Sequence, residues 1–536
     1  MSFDLLPAEI LQKIFDFVPR AEQLEKTSIS RRWNQLALRE TYLILAYGEQ
    51  VISERILRRT KRSYCCFSIE FSEAYEVLRP RLKICAEKFF LRKLILDGIQ
   101  TYALLLFAQE YRQWLRSVVH FSVTVSNKID SSDGEQHLDL PRLKVLSWTC
   151  STEEENRILP KFVLNAPALE DVYVEFGCDA NQTPLVLEHT TNLKSLGVFV
   201  PKMIPIMCPN GLLVLDCLRI YNSTRPFSWN LEQFTLPCLK VLELCGCTIN
   251  SESIVALRHF PHLETLIIQT ETIHLINLHM IANSLPKLKQ LRLFDIKWTH
   301  NPEMLTFPSL QVLDINDTTQ NDDGWSLEIN APHLITLKGT ALNLLGFELA
   351  NPSSVKCMIL HGLYLNYFQP RLFASVMILH IDIPCDGRHL MINECIHQFP
   401  NLTRLTLVLH EKQSPVNLSG HLLAISFIHL RYLHLQNFDL DYNFLVGMGK
   451  CLKLRTLIIQ DGTLTVAADD RPVYFSDQQH FYLQNVKIPT EVTSFPVFNP
   501  PTRLILSLPD GNVFSTLKWD EKNIKRAEDY VTFLLW

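Results

Sequence analysis

Cys245 and Cys247 stand two residues apart, the spacing of half a thiolate zinc site. No second pair of ligands follows at zinc-finger distance, so the sequence offers a tetrahedral ion only half its donors. The 18 histidines are spread without metal-ligand spacing. The motifs G-x-x-x-x-G-K-[ST], H-E-x-x-H, G-x-S-x-G and G-x-G-x-x-G are all missing, so phosphate cradles, zinc hydrolysis and a nucleophile elbow have no support. A chain without such chemistry acts by binding. The side chains best suited to that are aromatics and arginines, which dominate interface hot spots. Tyr173, Phe199, Arg219, Tyr221, Arg292 and Phe294 are such residues, and each falls at an equivalent place in a repeating phrase.

That phrase is clearest from Leu236 to Ile249, LPCLKVLELCGCTI. Leu239, Leu242 and Leu244 set a pattern L-x-x-L-x-L, which recurs about every 24 residues from Leu143 to Leu454. Cys66, Leu91 and Val118 extend the register towards the N-terminus. Proline precedes the first leucine by two residues in many copies, as at Pro141, Pro167, Pro237, Pro261, Pro286, Pro308, Pro332 and Pro400. One copy cannot bury its own leucines, whereas stacked copies can. Alternation within L-x-L makes a strand, with leucines inward and the residues between them outward. The six residues above are outward ones. Arg404, Tyr432 and His434 hold the same positions in later copies.

The phrase resembles the leucine-rich repeat. That resemblance implies an α/β solenoid: a curved parallel sheet with helical or irregular returns, whose concave face carries the outward residues. About fourteen clear copies and two or three degenerate ones place the array over 65–465. One family feature is thin. The Asn or Cys three places after the last strand leucine occurs only as Cys247, and Ser151, Gly177, Glu271, Ile296, Thr318 or Gly462 stand there elsewhere. Irregular turns are expected. Residues 466–536 read as a degenerate copy (Leu483-x-x-Val486-x-Ile488), an alternating Leu504, Leu506, Leu508 and a closing amphipathic helix over 521–536.

The first 45 residues differ. Pro7 suits a first helical turn. Ile10, Leu11, Ile14, Phe15 and Val18 then form one apolar stripe, and two further short helices follow, with Leu24 and Trp33 inward. Three short helices make a poor independent core. Phe3, Leu5, Leu6 and Phe17 add apolar residues beyond what they can hide, as a binding face would. Leu6-Pro7-x-Glu9-Ile10-Leu11-x-x-Ile14-Phe15, then Val18-Pro19, Leu24 and Ser30-Arg31-Arg32-Trp33-x-x-Leu36-Ala37 closely resembles an F-box. The resemblance implies a small all-α trihelical module over 1–45 that grips a Skp-type adaptor, and through it cullin and RING subunits. Leu6, Pro7, Ile10, Ile14, Leu24 and Trp33 match the family's adaptor-contacting or module-core positions. A helical cap on the array is the plainer reading of the same residues. A helical linker is expected over 46–64, starting in a helical pattern from Thr41.

Composition is consistent with this. Of 536 residues 47% are apolar and 20% charged, a folded chain with a net charge of only −5, which does not suggest a nucleic-acid partner. No apolar run reaches the length of a membrane helix, and the first residues do not look like a signal peptide. The expected setting is cytoplasmic and/or nuclear, with cysteines reduced and mostly buried, and with no cofactor or metal. Together the F-box and leucine-rich-repeat resemblances imply a non-catalytic substrate receptor of an SCF ubiquitin ligase. The rival is an interaction scaffold outside any ligase.

Overall fold

The computed structural model describes residues 42–47, 50–60, 64–71, 75–126, 136–151, 162–176, 185–199, 212–221, 236–246, 255–269, 275–276, 278–294, 297–298, 304–316, 327–340, 347–361, 374–383, 399–410, 418, 423, 428–465, 480–486 and 503–507. The F-box-like residues Leu6, Pro7, Ile10, Ile14, Leu24 and Trp33, and the expected closing helix, lie outside them. The chain forms two compact units. One is 1–263 with 269–272, and the other is 264–268 with 273–536.

Each unit is a leucine-rich-repeat solenoid built on one parallel sheet. In the first, the strands Cys66–Glu70, Lys93–Gln100, His120–Ser126, Val145–Ser151, Asp171–Phe176, Ser195–Phe199, Cys217–Tyr221 and Val241–Cys245 pair successively in parallel. Pairing is in phase with the repeat: Leu196 lies opposite Leu218, and Leu218 opposite Leu242. All three side chains are buried, as are the first leucines Leu193, Leu215 and Leu239. Fully burying a leucine is worth about 1.5–3 kcal/mol, so stacking rather than local propensity holds each copy.

The proline has a defined place. Leu140 carbonyl accepts from Leu143 N–H at 3.0 Å, Ala166 from Leu169 at 3.1 Å and Leu236 from Leu239 at 3.2 Å. Each bond closes a four-residue turn whose second residue is Pro141, Pro167 or Pro237. Proline fixes the φ such a turn needs there. The residue before each of these prolines is buried and apolar, which adds a core layer beside the leucines.

Two expectations are corrected in the first unit. The helical reading from Thr41 fails at Tyr42–Tyr47, a strand paired in parallel with Cys66–Glu70. Leu43 and Leu45 are its buried residues, at period two. The array therefore begins one copy earlier, and within the expected 46–64 linker the described helix is only Glu54–Arg59. Ser53 caps its N-terminus, and Lys88 Nζ donates to the carbonyls of Leu57 and Arg58 at 2.9 Å, satisfying its last turn. On its exposed side Arg58 lies 3.9 Å from Glu54. The second correction concerns the returns. Helices serve the early copies (Tyr75–Lys88, Thr101–Glu110), but Gln136–Asp139, Phe162–Asn165 and Leu185–Glu188 form a second, short parallel sheet.

In the second unit the long sheet runs from Gln290–Phe294 through Val312–Asn316, Thr336–Thr340, Cys357–His361, Ile378–Ile383, Arg404–Leu409, Tyr432–Gln436, Thr456–Gln460 and His480–Gln484 to Arg503–Ser507, all parallel. The alternation at Leu504 and Leu506 is the last of these strands. The copy expected to start at Leu483 is out of phase: Leu483 lies opposite Ile459, so it closes the strand instead of opening it.

The turns after three of these strands are also more regular than the sequence suggests. Asn437, Asp461 and Asn485 directly follow their strands with φ of 64°, 55° and 55°. Asn and Asp tolerate that left-handed region best among residues with a side chain. Asn437 N–H donates to Gln460 carbonyl at 2.8 Å and Asp461 N–H to Gln484 carbonyl at 2.9 Å. Asn485 Nδ2 donates to Asp461 Oδ1 at 2.7 Å. The polar ladder sits one residue before the place the family pattern names.

Candidate protein-binding surface

Strand alternation decides what the sheet shows to a partner. With the leucines inward, the residues between them stand on the outer face of the long sheet. In the first unit this face brings together Tyr173, Phe199, Arg219 and Tyr221 on three neighbouring strands. Gly197 lies opposite both Tyr173 and Arg219, and Phe199 opposite Tyr221. Tyr173 is 37% exposed, and Phe199 and Tyr221 are half-buried. Arg292 and Phe294 hold equivalent outer positions on Gln290–Phe294, in the second unit.

Hydrogen bonds hold the first group in place. Arg219 Nε meets Glu243 Oε2 at 3.2 Å. Glu243 also accepts from the Tyr221 hydroxyl, and Glu175 from that of Tyr173. Burial, then the Glu243 charge and hydrogen bond, push the Tyr221 phenol up to about 12. Burial and Glu175 push Tyr173 upward in the same way. Both phenols stay protonated donors. Gly197 makes room beside them: a Cβ there would lie 3.0 Å from Cδ2 of the Tyr173 ring. In the second unit Arg292 Nε is buried without a hydrogen-bond partner, beside Asp314 on the next strand.

A second group escaped the sequence reading. His361 Nδ1 lies 2.6 Å from Asp382 Oδ2, and His380 Nε2 lies 2.7 Å from Asp382 Oδ1. Burial works to raise the Asp382 carboxyl, but the hydrogen bonds from His380 and His361 outweigh it and hold it below its ordinary value. One strand further on, Arg404 lies over the Tyr432 ring at 4.8 Å. His434 Nε2 bonds Gln460 Oε1 at 3.2 Å. The copies holding His361 and the His380–Asp382 pair open on Val355 and Val376 in place of leucine, and carrying the alternation through them gives His361, His380 and Asp382 as outer residues. Among the described residues no group of three or more His, Cys, Asp or Glu is arranged to hold a metal ion. No described helix is long and apolar enough to cross a membrane.

No protein-family model and no curated protein matches the chain. Among solved structures, the TLR13–ssRNA13 complex aligns at 15% identity over 85% of this chain and 62% of that one, with a TM-score of 0.42. The chain thus spans 62% of the length of TLR13 in that structure. The internalin inlF of Listeria monocytogenes aligns at 15% identity over 68% of this chain and 87% of that one, with a TM-score of 0.26. InlJ of the same organism aligns at 12% identity over 75% and 70%, with a TM-score of 0.28.

Proposed function

We propose that this chain is the substrate-recognition subunit of an SCF ubiquitin ligase, with an N-terminal module that binds a Skp-type adaptor and a repeat array that binds the protein to be ubiquitinated. The observation that carries this reading is the ordered phrase Leu6-Pro7 to Ser30-Arg31-Arg32-Trp33, placed directly before the repeats. The outer face supports it with arginines and aromatics held in fixed positions, the usual anchors of protein interfaces. Chemistry would belong to the RING subunit and its conjugating enzyme, while this chain raises the effective concentration of target lysines beside them. A chain working with such an adaptor and cullin would act in the cytoplasm, the nucleus or both.

The test is co-purification. Adaptor and cullin are expected with the full chain and lost with Pro7→Ala combined with Ile10→Ala, while the array keeps its thermal transition. Retention of the adaptor by the double variant overturns the assignment. Partners captured without adaptor or cullin would make the chain a non-catalytic scaffold.

A further inference from the structure

The outer face of the first unit is unbalanced in charge where it is richest in aromatics. From Asp171–Phe176 to Val241–Cys245 it carries Asp171, Glu175 and Glu243 against the single cation Arg219. Glu243 already engages that cation, so Asp171 and Glu175 remain in excess. Two of these carboxylates hold tyrosine hydroxyls, which fixes the rings of Tyr173 and Tyr221 before any ligand arrives. A preorganised aromatic side chain loses little freedom on binding. A hydroxyl that donates to a carboxylate also leaves its ring more electron-rich, since hydrogen-bonded groups polarise one another.

Gly197 is the second observation. Glycine in a strand interior weakens the strand and often marks a close approach. Here the approach is made by the Tyr173 ring, beside a position where the two neighbouring strands carry Tyr173 and Arg219. Phe199 stands next along the same strand, opposite Glu175 on one side and Tyr221 on the other. With neighbouring strands about 4.8 Å apart, the three rings span two strand spacings, roughly 10 Å, with Glu175 on the strand of Tyr173, while Glu243 lies one strand beyond Tyr221, roughly 14 Å across the sheet from Glu175.

Resting on the reading of the array as a protein-binding surface, we propose that Tyr173, Phe199 and Tyr221, with Glu175, form a receptor for the cationic side chain of a lysine or arginine on a partner protein segment. The rings attract the cation through their faces and the Glu175 carboxylate supplies the counter-charge. Asp171 extends the same sign of charge along the strand, which suits a segment bearing more than one basic residue.

Fluorescence anisotropy on the full chain tests this. The probes are short fluorescein-labelled peptides of repeating Gly-Ser-Lys, their Arg and Glu counterparts, and a single-stranded RNA oligonucleotide. The Lys and Arg peptides are expected to bind and the Glu peptide to fail. Tyr173→Ala and Glu175→Gln should each weaken binding about tenfold. Gly197→Val touches no ligand but displaces the Tyr173 ring, and should weaken binding to a similar extent. Asp97→Asn, on an earlier strand of the same face, should leave it unchanged. Equal affinity for the Glu peptide, tighter binding of the RNA, or unaltered affinity in Tyr173→Ala with an unchanged melting curve would each overturn the proposal. Should Gly197→Val fail to fold, Tyr173→Ala and Glu175→Gln still decide. Proximity labelling separates this failure from that of the broader reading: partners retained by Tyr173→Ala place the contact elsewhere on the array, and no partners at all removes the receptor function itself.

Discussion

His361 and His380, on adjacent strands, share the two oxygens of one carboxylate, one ring on each oxygen of Asp382. The side chain of Asp382 is only 14% exposed, so the charge it keeps depends on those two donors. Its pKa is lowered in the folded protein. A depressed carboxylate contributes stability above its unfolded pKa, and that contribution is lost as pH falls through the folded value. Asp382→Asn should therefore lower stability at pH 7 by about 1–3 kcal/mol. The difference from the unaltered protein should narrow once pH drops below 3.8, the ordinary carboxyl value. Urea melts of both proteins at a series of pH values check the slope; a constant difference down to strong acid contradicts it.

Burial lowers the pKa of His434, and the His380 charge acts in the same direction, while Gln460 and Asp461 oppose them. The folded protein then binds fewer protons here than the unfolded chain, so this residue subtracts stability as pH falls below 6.5. Ring-proton NMR should show His434 titrating below the ordinary histidine value, and His434→Gln should flatten the loss of stability on the acid side of 6.5.

Strand phase predicts unequal effects from neighbours. Leu242 is fully buried, so Leu242→Ala should destabilise by about 2–5 kcal/mol. Glu243, one residue on, faces outward and pairs with a half-exposed arginine. Glu243→Ala should change stability by about 0.5 kcal/mol or less. Thermal denaturation of the two variants side by side distinguishes them, and equal losses would refute the phase.

Gly462 lies under a backbone, not a side chain. A Cβ there would meet the carbonyl oxygen of Phe438 well inside van der Waals contact. Gly339 is similar, with the Ile315 carbonyl oxygen 2.5 Å from where its Cβ would stand. Gly462→Ala should cost about 1–3 kcal/mol through forced backbone movement. A neutral effect in chemical denaturation would mean the sheet edge yields freely.

Cysteine reactivity should follow burial. Desolvation pushes the Cys451 thiol up to about 11, and pushes Cys85 up to about 12 against a smaller opposing effect of Lys88. Cys238 is exposed on the turn after Pro237. Iodoacetamide at pH 8 should label Cys238 well before either buried thiol, as read by peptide mass spectrometry.

The repeating strands were legible because L-x-L alternation has a period nothing else in the chain shares. Tyr42–Tyr47 was not, since Tyr-Leu-Ile-Leu-Ala-Tyr is apolar throughout and hides its alternation from a helical reading. The short return strands, such as Phe162–Asn165, are four-residue runs whose pairing depends on partners a whole copy away. His361 and Asp382 meet for a similar reason. Which outer residues become neighbours depends on copy length, and here the two strands are offset by 21 residues. The outward positions of Tyr173, Phe199, Arg219 and Tyr221, and of Glu175 and Glu243, follow from the phase alone, but the pairing of Arg219 with Glu243 emerged only from the structure.

The proline turn has a consequence for how such a chain can grow. It anchors the start of the strand it precedes to a buried residue just upstream, as at Leu140, Ala166 and Leu236, so the leucine frame is reset in each copy that carries it. Duplication or insertion of a few codons between one strand's end and the next proline lengthens a loop while every downstream leucine keeps its inward heading. The same change placed between the proline and the last strand leucine would turn one strand's core face to solvent. Length variation is therefore cheap in one half of each copy and lethal in the other, so the spacing of the copies can drift while the ladder of strands stays aligned.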